Sequence, residues 1–130
     1  MEYMFIEVQS RLDFEQTMIT LTKKIEDAKW KVLATHNLQD SLHKNGYEVL
    51  PVKVIELCNP HHSVKILSRD AERIYASLMP CRIAVCDKSD GKTYVSLMNS
   101  GMIAAQVGGI VEEVMSAAFQ DSMDFIESIR

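Results

Sequence analysis

The first thirty residues place their apolar side chains in two different periods. Residues 3–9 (YMFIEVQ) carry Met, Ile and Val at every second position, which predicts a β-strand. The spacing then changes to steps of four and three, and this predicts a helix with one apolar stripe, formed by Phe14, Met18, Leu21, Ile25 and Ala28. Asp13 precedes the stripe as an N-cap and Gln16 completes a capping-box pattern. We therefore expect a strand followed by a helix that ends near Trp30.

Short strands and helices alternate in the middle of the chain. Residues 31–37 and 52–58 are predicted strands, separated by about two helical turns that end at Gly46, a common C-terminal stop. Asn59 and Pro60 then stand as N-cap and first residue of a helix that reaches about Leu67. A further helical stretch, residues 69–78, is predicted to end before Pro80.

The C-terminal third predicts a hairpin and one long helix. Asp90-Gly91 is a strong turn signal between the strand patterns of residues 81–87 and 93–98. A helix then begins at Asn99 or Ser100 and carries two apolar rows, Ile103, Val107, Ile110, Val114 and Ala118, and Val111, Met115, Phe119, Met123 and Ile126. This band is wider than one core face requires, so we expect a homodimer partly formed by the C-terminal helix. Gly108-Gly109 would weaken the helix or let another backbone approach.

This order of elements predicts an α+β fold. Helices stand between the early strands and a hairpin comes late, which is typical of two layers with a mainly antiparallel sheet of about four to five strands. We find no linker or repeat, so residues 1–130 are expected to form one domain.

Composition and charge exclude several classes of protein. A chain of 130 residues with 47% hydrophobic and 25% charged residues is globular in character. A net charge of -4 without basic runs argues against nucleic-acid binding. The longest uncharged stretch, residues 93–111, contains polar residues and glycines, so we expect no membrane span. The N-terminus lacks signal-peptide features, and we expect a cytoplasmic protein with three reduced cysteines.

The stretch ELCNPHHSVK, residues 56–65, concentrates the groups that are able to do chemistry. Alternation along its strand places Glu56 and Cys58 on one face with Val52 and Val54. A carboxylate on such an apolar stripe requires a partner or a proton. Cys58 ends this strand and Cys81 begins the next, so the two thiols lie close together if the strands are antiparallel neighbours.

Thiol chemistry is one interpretation of these residues. Cys58 directly precedes the Asn59 cap, where the amides and dipole of a helix N-terminus favour a thiolate. Cys81 would then serve as the resolving thiol. Glu56 opposes ionisation of a neighbouring thiol as a charge and helps only as a proton donor or acceptor.

A metal site is the second interpretation. Cys58, His61, His62 and Cys81 have ligand chemistry suited to zinc or copper, and Cys58, His61 and Cys81 form its minimal set. The spacing signal is weak because the chain has neither Cys-x-x-Cys nor His-x-x-x-His.

Ligand binding without chemistry is the third interpretation. Asn59, His61, His62 and the free amides of a helix start form a cradle for a small anion, which Arg82 joins if the fold turns it to that side. Against all three stands a purely structural role, in which Asn59 only caps a helix and both cysteines are buried without a cavity.

Two blocks of the sequence resemble the domain of unknown function 302 (DUF302) family. The matching residues are Gly46, Glu56-Leu57-Cys58-Asn59-Pro60, Pro80-Cys81-Arg82 and Met98-Asn99. The resemblance covers roughly residues 5–99, and Cys86 and His62 lie outside its pattern. It implies a small α+β protein of bacteria or archaea that is dimeric, and it does not imply an activity.

Overall fold

A five-stranded antiparallel sheet with helices against one face forms the protein. The computed structural model describes residues 3–130. The strands are β1 (Phe5–Gln9), β2 (Lys31–Asn37), β3 (Val52–Cys58), β4 (Cys81–Asp87) and β5 (Thr93–Met98), in the sheet order β1-β5-β4-β3-β2. The helices are α1 (Phe14–Asp27), α2 (Leu38–Lys44), α3 (Pro60–Leu67), α4 (Ser100–Val107) and α5 (Gly109–Glu127), and a 3₁₀ segment spans Asp70–Leu78. All four strand pairs are antiparallel, which confirms the predicted α+β class.

Local capping signals set most of these boundaries. The Asp13 carboxylate accepts a hydrogen bond from the Gln16 amide at the start of α1. Asn59 in the same way accepts from the His61 amide, with Pro60 as the first residue of α3. The β4–β5 hairpin turns at Gly91, whose φ of 79° suits glycine. These predictions are confirmed.

The main core lies between one face of the sheet and helices α1 and α5. Its fully buried side chains include Leu21, Ile25, Ile55, Leu57, Ile83, Val85, Val95, Ile126 and Ile129. In β3 the core face is therefore the one with Lys53, Ile55 and Leu57. Val52, Val54 and Glu56 of the predicted apolar stripe lie on the opposite face, whereas Cys58, at the end of the strand, is hydrogen-bonded to Ser63 of α3. Both faces of β3 carry apolar residues, so alternation alone could not choose between them.

A second, smaller core explains the wide apolar band of the C-terminal region. The predicted single helix is wrong, because Gly108 (φ 76°, ψ -171°) separates α4 from α5. Helices α3, α4 and α5 enclose the second core, which is formed by Ile66, Ala104, Val111, Val114 and Met115, with Tyr75 and Leu78 of the 3₁₀ segment against it. Half of the ten residues of the apolar band are thus buried within one copy of the chain, and four more are half-buried. The prediction of a dimer loses its original basis in this helix.

One further difference from the predicted elements concerns residues 70–78. The predicted helical stretch forms 3₁₀ turns, and its side chains are at most half-buried where Tyr75 and Leu78 contact the second core. No helix within residues 3–130 is both long and apolar enough to cross a bilayer.

Candidate functional site

A cavity of about 80 Å³ lies between the two cores. Its wall is formed by the β3–α3 junction, the start of β4, the end of β5, the first residue of α4 and the inner side of α5, together with Trp30. The lining residues are Trp30, Leu57, Cys58, Asn59, His62, Ser63, Ile66, Leu78, Met79, Cys81, Arg82, Leu97, Met98, Ser100, Val114, Met115, Ala118, Phe119 and Ser122. We call this space the inter-core cavity.

Five of the residues predicted from the sequence meet at the inter-core cavity. Cys58, Asn59, His62, Cys81 and Arg82 all belong to its wall, although they come from two separate segments of the chain. The antiparallel pairing of β3 with β4 brings these segments together, because it places Leu57 directly opposite Cys81. The predicted neighbourhood of strands β3 and β4 is therefore confirmed.

Two other predicted residues lie outside the cavity wall. His61 is exposed in the first turn of α3, where its amide is bound by the Asn59 cap. Glu56 pairs with His36 and with Arg82, whose Nε lies 3.5 Å from a Glu56 carboxylate oxygen. The hydrogen bond with His36, with the positive charge of Arg82, lowers the pKa of Glu56. Glu56 is thus an ionised carboxylate that pairs with two basic side chains, His36 and Arg82, on the sheet face that points away from the main core.

The two thiols in the wall have different surroundings. Cys58 and Cys81 are both free and half-buried. The Cys58 Sγ is hydrogen-bonded to the Ser63 Oγ of α3 at 3.0 Å. Burial raises the pKa of the Cys81 thiol, and the nearby Cys58 raises it further. Cys81 is therefore protonated at neutral pH.

A carboxylate on α5 joins His62 to Trp30 at one side of the cavity. Asp121 Oδ2 accepts a hydrogen bond from Trp30 Nε1 at 3.2 Å and lies 3.5 Å from His62 Nε2. The Trp30 and His62 rings meet edge to face with centroids 5.8 Å apart. This set of contacts fixes the position of His62 in the wall.

Sequence reasoning missed Asp121 and Trp30. A signal exists for Asp121, because it lies at helical spacing between Ala118 and Phe125, both of which point inward. An acidic residue in an inward stripe requires a polar partner. Nothing in the sequence identified that partner, because Trp30 is ninety-one residues away in the chain.

The described part of the chain contains no set of side chains arranged as metal ligands. Within residues 3–130 no three His, Cys, Asp or Glu side chains are arranged to hold a metal ion. His61, one of the three predicted ligands, does not reach the wall that contains Cys58 and Cys81.

Apolar and sulfur-containing side chains dominate the wall. Two of the three cysteines and three of the eight methionines line it, with Trp30 and Phe119 as aromatic members. Most of its polar groups already have partners: Asn59 caps α3, Ser63 bonds Cys58, and Ser122 donates to the Ala118 carbonyl. Within residues 3–130 no buried side-chain nitrogen or oxygen lacks a hydrogen bond.

Comparison with known proteins agrees with this fold. The model of the domain of unknown function DUF302 family matches residues 6–129. A crystal structure of an uncharacterised conserved DUF302 protein from Bacillus stearothermophilus superposes with a TM-score of 0.87 and 16% sequence identity, covering 99% of this chain and 100% of that one. The comparison with curated proteins gives no match. The chain therefore belongs to the DUF302 family.

Proposed function

We propose that the protein binds a small, uncharged and mainly apolar molecule in the inter-core cavity. The observation that carries this proposal is the cavity itself, which brings together Cys58, Asn59, His62, Cys81 and Arg82 from two segments. A purely structural domain would close this space with side chains, because protein interiors are close-packed. A site with chemically varied walls between two small cores is typical of ligand binding.

The volume limits the size of the ligand. The cavity holds about 80 Å³. A water molecule needs about 10–15 Å³ on this scale, so the ligand would have roughly five to eight non-hydrogen atoms. A nucleotide, a haem or a flavin is much larger than this.

The wall chemistry limits the charge of the ligand. Arg82 is paired with Glu56, and His62 is held by Asp121, so neither offers a free charge. An ionic ligand would lose its hydration shell without gaining an unpaired counter-ion. A neutral molecule loses less hydration free energy when it enters the cavity. Thioether and aromatic side chains in the wall pack well against apolar atoms. On these grounds we favour an apolar ligand over the small anion of the third sequence-based interpretation.

Toluene, with seven carbon atoms, is a suitable probe of the proposed site. We expect saturable changes in the amide NMR signals of Ile66, Val114 and Ala118 when toluene is added to the wild-type protein. The substitution Ala118→Leu fills part of the cavity, and we expect it to weaken toluene binding at least tenfold, as judged by titration. Overpacking costs about 1–3 kcal/mol, so retained folding is checked by circular dichroism.

The matched control is Ala117→Leu, the neighbouring position on the exposed side of α5. It adds the same side chain and should leave toluene binding unchanged. Equal binding by the wild type and the folded Ala118→Leu variant would contradict the proposal, as would a wild-type titration without saturation.

Thiol exchange is the second candidate function, because Cys58 and Cys81 share the cavity wall. Cys58, after losing its proton to water, would attack a small-molecule disulfide and release one thiolate. Cys81, after losing its proton to water, would then attack the Cys58 sulfur of the mixed disulfide, release the second thiolate and leave a Cys58–Cys81 disulfide. The raised pKa of Cys81 makes the second step slow at neutral pH, which is why we place ligand binding first.

A further inference from the structure

The sheet face that points away from both cores is unusually apolar at its centre. The outward side chains at the centre of the three middle strands are Val52, Val54, Ala84, Cys86, Tyr94 and Ser96, with Glu56 and Arg82 at one end, and none of them belongs to either core. A solvated face of an antiparallel sheet normally carries polar residues at such positions. We call this surface the open sheet face.

From this pattern we infer that the open sheet face binds a second copy of this chain, sheet against sheet. Small side chains at its centre suit this arrangement, because packed sheets approach to about 10 Å and need flat, interdigitating surfaces. In an isologous dimer the same patch covers itself, so residues near the two-fold axis meet their own copies.

Charge at the border of the open sheet face is balanced. Glu56 pairs with Arg82 at one corner, and Glu7 pairs with Lys88 at the other, where Lys88 Nζ lies 2.9 Å from a Glu7 oxygen. A face that meets its own copy must avoid uncompensated like charges, and these internal pairs meet that requirement.

The sequence pattern predicts a dimer contact through an apolar row of the last helix, but the side of α5 that remains exposed is acidic. Its exposed residues include Glu112, Glu113, Asp124 and Glu127, and residues 100–129 contain neither Lys nor Arg. Two copies joined through this helix would bring like charges together, so the open sheet face is the better dimer surface.

The area of the open sheet face is at the lower limit for a small dimer. With five strands in the sheet, a strand spacing of about 4.8 Å and a strand length of about 20 Å give about 480 Å² in projection. Two copies would bury roughly 1,000 Å², near the lower limit for a specific interface. Within this area, exposed Phe5 makes the β1 edge apolar.

Sedimentation velocity over a range of protein concentrations tests this inference with two matched variants. We expect the wild type and Ala117→Glu on the outside of α5 to sediment as dimers. Ala84→Glu places a carboxylate at the centre of the open sheet face, and we expect it to raise the dimer Kd at least 100-fold, because a charge would be buried without a partner.

Cross-linking of the wild type provides a second measurement that does not depend on a variant that folds. A short bismaleimide should join Cys86 to Cys86 between two copies, identified as a linked peptide by mass spectrometry. A monomeric wild type at all concentrations would overturn the inference. So would a dimer that Ala117→Glu dissociates and a folded Ala84→Glu does not, or a dimer without any Cys86–Cys86 link.

Discussion

Replacement of Ile66 by Ala is expected to lower the free energy of unfolding by about 2–5 kcal/mol. Ile66 is 0% exposed and lies at the centre of the second core, against Val111, Val114 and Met115. The substitution removes buried apolar atoms of α3 that contact α5, and it enlarges the inter-core cavity, whose wall includes Ile66. Because proteins of this size have a total stability of about 5–15 kcal/mol, the effect is large.

Urea unfolding followed by circular dichroism measures this effect. Val64→Ala on the same helix is the control, because Val64 is 58% exposed. Its expected change is within about 0.5 kcal/mol. Equal midpoints for the two variants would show that α3 does not pack on α5, and the wall of the inter-core cavity would then be absent.

The second large effect is expected at the junction of α4 and α5. Gly108 has φ 76° and ψ -171°, a combination that is essentially restricted to glycine. A Cβ at this position would meet nothing within 4 Å, so the consequence of Gly108→Ala is backbone strain alone. We expect a loss of about 1–3 kcal/mol of stability.

Gly109→Ala gives a graded comparison for the same junction. Gly109 has φ 59°, the left-handed region that other residues enter at a lower cost of roughly 1–2 kcal/mol. Thermal unfolding should therefore rank the variants with Gly108→Ala as the less stable. A Gly108→Ala variant as stable as the wild type would mean that the chain continues here as one helix, as the sequence pattern alone predicted.

Local chemistry made most element boundaries predictable, while long-range packing did not follow from the sequence. The Asn59-Pro60 and Asp90-Gly91 pairs act within a few residues, so their helix start and hairpin turn could be identified directly. The core face of β3 could not be chosen, because Val52 and Val54 are as apolar as Ile55 and Leu57. The backbone conformation at Gly108 divides the last helix into α4 and α5, although its apolar periodicity predicted one continuous helix.

The candidate site was predictable only in part for the same reason. The β3–β4 pairing that joins Cys58 to Cys81 required an assumption about neighbouring strands, which the sheet order confirms. Glu56 was assigned to the thiols because of its place in the sequence, yet His36 and Arg82 pair with it on the open sheet face. Asp121 contacts His62 only through tertiary packing, and no sequence pattern indicates that these two residues are neighbours.

The most direct test of the inter-core cavity as a binding site is alkylation of the three cysteines with and without saturating toluene. Peptide mass spectrometry of the wild type, treated with iodoacetamide across pH, gives a rate for each thiol. We expect Cys81 to react slowly at neutral pH because its pKa is raised. We expect toluene to slow both Cys58 and Cys81 and to leave Cys86, on the open sheet face, unchanged. Toluene that slows none of the three thiols, or all three equally, would contradict the account.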